Sequence, residues 1–151
     1  MLFRSPKSYA QKYLFDPESQ RAPAHFHRSK REDICCLAGG NILVQLRAAG
    51  PDDQPSDERL VVKVDGIART IDAGEIIRLR PGQSVCIPPR TVHQFWGEEG
   101  TGLTVSSEVS SVCDDWNDNV FLVDYGVRFP TIIEDEARRH CLCHEYPTTR
   151  C

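Results

Sequence analysis

The sequence predicts an all-β protein: an antiparallel sandwich or small barrel with little helix. Three observations carry this. Short apolar runs recur along the chain, with turn residues between them at roughly 8–12-residue spacing. Asp65-Gly66 separates two such runs, and Asp-Gly suits a tight hairpin turn whose two central residues both need positive φ. Ten prolines in 151 residues disfavour long helices.

Taken in order, residues 1–22 read as an N-terminal strand or arm. Asn41–Leu46 (NILVQL) reads as a strand. Residues 49–58 (AGPDDQPSDE), rich in Pro and Asp, read as an exposed loop. Leu60–Val64 and Ile67–Ile71 form the two arms of the Asp-Gly hairpin. Ala73-Gly74 turns into Glu75–Leu79, and Pro81-Gly82 turns into Ser84–Ile87. Val92–Trp96, Leu103–Val109 and Val120–Val123 complete the strands. The one helical candidate is Glu134–Arg139, with acids first and bases last as a helix dipole prefers.

The length fits one domain, 1–151, able to bury a real core. Eighteen basic against 22 acidic side chains give a net charge of −4, which argues against an electrostatic nucleic-acid binder. No apolar run approaches the roughly 18 residues of a membrane span. The N-terminus lacks the apolar core of a signal peptide, so the expected location is the cytoplasm. The seven cysteines are an odd number and contain no Cys-x-x-Cys pair, which favours free thiols over a disulfide scaffold or a zinc finger.

The chemistry concentrates in two stretches. In Ala24–Glu32 (AHFHRSKRE), His25 and His27 are two apart, and on a strand such residues share a face. Their imidazoles then converge, and Glu32, past a bend, returns a carboxylate to the same point. Two His and one carboxylate make a three-cornered metal site with open positions. Further on, His93 sits among apolar residues in Val92–Trp96, facing the interior as a further ligand or as a buried core histidine.

Both stretches resemble the cupin motifs. The first resembles His-x-His, a short spacer, Glu, six residues and Gly, met here by His25, His27, Glu32 and Gly39. The second is met by Gly82, Pro88, Arg90 and His93, with Arg90 standing where Gly is usual. The resemblance implies a double-stranded β-helix (jelly-roll) barrel with His25, His27, Glu32 and His93 as metal ligands.

A closer resemblance is to the D-lyxose isomerase family of sugar ketol-isomerases. It rests on HFHRSKREDI, GGNILVQL, LRPGQSVCIPPRTVHQFWGE, SEVSSVCDDWNDNVF, RFPTIIEDE and CLCHEY, and runs from Tyr9 to Tyr146. Longer members carry a largely helical N-terminal region, so the resemblance implies a short form. It also implies a divalent metal, foremost Mn²⁺, with Co²⁺, Ni²⁺ or Zn²⁺ as other occupants. The implied activity interconverts D-lyxose and D-xylulose, and also D-mannose and D-fructose. Such a reaction needs a Lewis acid, proton transfer between C2 and C1, and relief of the charge that builds on an enediolate.

Lys30 is implied as a catalytic residue. Its ordinary reading is a solvated lysine, but beside a metal its pKa should fall, because like charges disfavour ionisation, and it could then relay a proton. Glu134 is implied as the base and Asp135 as a contact for sugar hydroxyls, with Glu136 the alternative in that acidic run. Glu108, ending a strand-like run, faces either the interior as a substrate contact or the surface. The polar loop Asp114, Asp115, Asn117, Asp118 and Asn119 reads first as solvated, with sugar contact as the alternative. Phe95 and Trp96 suit a pocket wall or the core; His140 and His144 read as surface residues. The partners expected are a small sugar and a second copy of the chain, with no nucleic acid or membrane. The competing readings are a cupin dioxygenase using Fe(II), which the same ligands permit, and a non-catalytic sugar-binding cupin.

Overall fold

The computed structural model describes residues 8–111, 117–122 and 135–137. Among these residues it contains strands and no helix. They are β1 (Tyr9–Asp16), β2 (His25–His27), β3 (Glu32–Gly39), β4 (Ile42–Ala48), β5 (Leu60–Val64), β6 (Ile67–Ile71), β7 (Ile76–Leu79), β8 (Ser84–Ile87), β9 (Thr91–Gly97), β10 (Thr104–Ser111) and β11 (Asn119–Phe121). One sheet has the order β1-β10-β3-β8-β5-β6 and the other β11-β2-β9-β4-β7. Neighbours within each sheet run antiparallel.

The turn chemistry read from the sequence holds. The β5–β6 hairpin has the expected bounds, and Asp65 and Gly66 take φ 50° and 80°, the positive pair that a type I′ turn needs. The expected strands at 84–87, 75–79, 92–96 and 103–109 appear as β8, β7, β9 and β10, shifted by a residue or two where they differ. Gly39 has φ 81°, and a Cβ there would collide with the Leu103 carbonyl oxygen, so the motif glycine is needed on both counts. Arg90, where the motif usually has Gly, keeps the same kind of turn by adopting φ 59°. Its amide donates to the His27 carbonyl at 2.7 Å.

Two expectations need correction. Strand β3 went unforeseen because the charged pair Glu32-Asp33 opens it and masks its alternation; Glu32, Ile34 and Cys36 face inward. The helix expected over Glu134–Arg139 is not seen where it can be checked: residues 135–137 are exposed and lie outside any helix or strand. Glu134, Arg138 and Arg139 lie outside the described residues, as does Val123 at the end of the last expected strand.

The inner faces divide the molecule. Ile34, Cys36, Ile42, Val44, Leu46, Val62, Ile71, Ile77, Leu79, Val85, Ile87 and Phe95 form one apolar cluster. Each fully buried aliphatic side chain there contributes about 1.5–3 kcal/mol. Toward β1 and β10 the inward positions turn polar: Lys12, Asp16, Ser106, Glu108 and Ser110 are at least half-buried, with the inward face of β10 fully so. Cross-strand register sets Ser110 beside Glu32 and Lys12 beside Glu108. A polar chamber therefore adjoins an apolar core inside one sandwich.

Candidate metal centre

Strand alternation puts His25 and His27 on the inner face of β2, with Phe26 buried on the other. His93 on β9 stands opposite His25 in the register. One ligand atom from each of the three imidazoles lies within 4.8 Å of the others, so this group could hold a metal ion. Pro23 O and Thr91 O lie 2.9 Å from Nδ1 of His25 and His93 respectively. A carbonyl only accepts, so both Nδ1 atoms carry a proton, and each Nε2 presents a lone pair whenever its ring is neutral, the tautomer that metal-ligating histidines commonly show.

Glu32 reaches the group from the opposite sheet. Its Oε1 lies 2.8 Å from His93 Nε2, and its Oε2 lies 3.3 Å from His27 Nε2. His27 and Glu32 are 3% and 2% exposed, so water is largely excluded. Both ring nitrogens of His27, and Nε2 of His93, are buried with no hydrogen-bond partner. Each orphaned polar atom costs about 1–3 kcal/mol. A cation held by one ring nitrogen from each imidazole would satisfy His93 Nε2 and one nitrogen of His27 together, so the residues fit a divalent ion.

The electrostatics favour a neutral His25 and an ionised Glu32. Burial, and then repulsion from His93, push the His25 pKa down to about 3, leaving a neutral imidazole. Burial alone would raise Glu32, but His93, His27 and Lys30 outweigh it and hold this carboxyl well below its ordinary range. Burial opposes charge on His93 as well, and the Glu32 carboxylate overcomes it, raising the His93 pKa.

Lys30, 3% exposed, is buried in the β2–β3 connection. Its Nζ lies 2.6 Å from Glu32 Oε2 and donates to Glu108 Oε1 at 2.9 Å. The depressed pKa expected of it belongs to the ion-loaded site; the balance without an ion runs the other way. Burial disfavours the charge, yet the attraction of Glu32 and Glu108 prevails and holds the ammonium above its ordinary value. Glu108 faces the interior, which resolves the choice that the sequence left open. The same Oε1 also accepts from Lys12 Nζ at 3.0 Å. Lys12 escaped the sequence reading, although it alternates with the inward positions Ala10 and Leu14 on β1.

Asp118 also departs from its solvated reading. It is 7% exposed and accepts from the Ser29 and Lys30 amides and the Ser29 hydroxyl. Burial raises its pKa, but these bonds outweigh burial and leave it lowered. Phe95 belongs to the core, and Arg21 lies 3.8 Å above the ring of the buried Trp96. Asp135 is exposed, and no contact among the described residues joins it to the imidazoles. Glu134, Asp114, Asp115, His140 and His144 lie outside the described residues. Among the described residues, Cys35, Cys36 and Cys86 are free thiols.

The D-lyxose isomerase family matches residues 2–146. The D-lyxose/D-mannose isomerase of Serratia proteamaculans is 46% identical over 140 residues, which is 93% of this chain and 61% of that protein. The D-lyxose/D-mannose isomerase of Escherichia coli O157:H7 is 44% identical over the same shares. The chain thus spans about 61% of the length of these curated relatives. Among solved structures, Cellulomonas parahominis L-ribose isomerase with L-ribose aligns at TM-score 0.57 and 18% identity, covering 78% of this chain and 59% of that one. A cupin 2 domain-containing protein from Halorhodospira halophila aligns at TM-score 0.50 and 12% identity, over 72% and 56% of the two chains. At such identities the likeness shows the fold, a cupin jelly roll.

Proposed function

Since the chain belongs to the D-lyxose isomerase family, we propose that it is a metal-dependent aldose–ketose isomerase. The substrates proposed are D-lyxose and D-xylulose, with D-mannose and D-fructose as a second pair. The observation that carries this reading is the buried group of imidazoles with a lysine held between two carboxylates beside it. A site that only binds sugar has no need of a buried ammonium at that place.

In this reading His25, His27, His93 and Glu32 hold the ion, with Mn²⁺ first and Co²⁺, Ni²⁺ or Zn²⁺ as alternatives. When bound, the ion supplies Lewis acidity toward the sugar's carbonyl and neighbouring hydroxyl. The remaining chemistry falls to side chains. Glu134 takes the proton from C2 and delivers it to C1. Lys30 passes the proton of O2 to O1, so an enediol forms and collapses to the ketose with every atom accounted for. Glu108 accepts from a sugar hydroxyl, and Asp135 binds another. The low exposure of the site keeps bulk water from competing with these transfers.

The protein is proposed to be cytoplasmic, in keeping with its free thiols, and to work as a homodimer. Strand β1 supports the dimer: among the described strands it pairs with β10 alone, and it exposes Tyr13 and Phe15.

The test is an NMR assay of purified protein with Mn²⁺, offered D-lyxose or D-mannose, against an EDTA-treated control. Metal-dependent formation of D-xylulose supports the reading. No ketose from either sugar, with metal bound, overturns it.

A further inference from the structure

The short connection between β2 and β3 has to place Lys30 in a narrow slot between Glu32 and Glu108. Little within the segment itself fixes it, because residues 28–31 form neither strand nor helix. What fixes it arrives from 88 residues away. Asp118 Oδ1 accepts from the Ser29 amide at 2.7 Å and the Ser29 hydroxyl at 2.6 Å, and Oδ2 accepts from the Lys30 amide at 3.0 Å. The Asp118 carbonyl adds a bond from the Arg28 amide at 3.0 Å. One carboxylate thus gathers donors from two successive residues, in a geometry that a carboxylate can meet and an amide cannot. Asp118 itself is anchored, because the next residue begins β11, where Asn119 pairs with His27.

We propose that Asp118 is a positioning residue. By gathering the Ser29–Lys30 backbone, it holds the Lys30 ammonium between Glu32 and Glu108. Its catalytic consequence rests on the isomerase reading above; its structural consequence does not.

Asp118→Asn is the informative change. Its amide NH₂ faces a backbone N–H in place of an acceptor, so one or more of these bonds is lost. The first readout needs no turnover: acetylation of the full chain by an amine-reactive ester, followed by peptide mass spectrometry, with the exposed Lys63 as internal reference. Lys30 acetylation should rise about tenfold relative to Lys63 as the turn opens locally. The second readout is kinetic, with Mn²⁺ and D-lyxose. There kcat should fall by about 10–100-fold, the usual size of an outer-shell effect. KM and bound Mn²⁺ should stay near wild type, a split that general structural damage would not give.

Wild-type Lys30 labelling in a folded Asp118→Asn protein overturns the proposal. Raised labelling with unchanged kcat overturns its catalytic part. Should the variant not fold, Ser29→Ala, which removes only the hydroxyl donor, decides in the same way by labelling. If the wild-type chain converts no D-lyxose, the isomerase reading fails, and the labelling still decides the positioning.

Discussion

His27→Ala separates a ligand histidine from a structural one. In the metal-free protein, removing this buried ring costs about 2–5 kcal/mol, as large-to-small interior changes do. The same change removes both orphaned nitrogens of His27, each of which costs about 1–3 kcal/mol to keep buried. The two effects offset, so the metal-free variant should lie within about 4 kcal/mol of wild type. The response to metal should differ sharply. An ion at 100 times its Kd stabilises the wild-type fold by about 2.7 kcal/mol. For a chain of this length that raises Tm by roughly 5–11 °C. Thermal unfolding in EDTA and in MnCl₂ gives both numbers for each protein. The variant should keep most of its metal-free Tm and lose most of the metal-induced rise. A wild-type-sized rise in His27→Ala would refute the reasoning, because the ion would then sit elsewhere.

Three further outcomes follow from the same geometry. Lys30→Met leaves Glu32 and Glu108 buried without their shared cation; breaking such a pairing costs about 3–5 kcal/mol. The metal-free Tm should drop, while metal content persists and turnover of D-lyxose is lost. Arg90→Gly relieves about 1–2 kcal/mol of left-handed strain and gives up a solvent-screened ion pair with Asp53. It should therefore unfold in urea closer to wild type than Arg90→Ala, which loses the ion pair and keeps the strain. The Asp118 pKa is lowered from 3.8, so its ionised form stabilises the fold above that value, and the benefit is lost as pH falls through the lowered pKa. Below pH 4 the stability gap between wild type and Asp118→Asn should narrow, as paired urea titrations would show.

The convergence of His25, His27, Glu32 and His93 could be read from the sequence because their geometry is local. A period of two puts His25 and His27 on one face, and His93 declares itself by its apolar neighbours. Glu32 was legible by spacing, although the strand it opens was not, since Glu32-Asp33 looks like a loop when its partners are unknown. Glu108 lay one step beyond local reading: its face depends on the register of β10 against β3, with a shift between Val105 and Ser106 that no pattern announces. Lys12 and Asp118 lay further out. Lys12 meets Glu108 across 96 residues of sequence, and Asp118 meets Ser29 across 89. A lysine on an edge strand and an aspartate among other acids look like solvated residues until the fold supplies their partners. The two carboxylates that bracket the Lys30 ammonium were out of reach for the same reason.

The central claim is that this site moves a proton between C2 and C1 of a sugar and needs its metal to do so. The direct measurement is to run the Mn²⁺-loaded protein on D-lyxose in D₂O and read the ketose by NMR and mass spectrometry. The account predicts D-xylulose only with the metal, carrying solvent deuterium at C1 in the share of turnovers in which the base exchanges its proton. D-Xylulose formed equally well in EDTA, or no conversion with the metal bound, would contradict it.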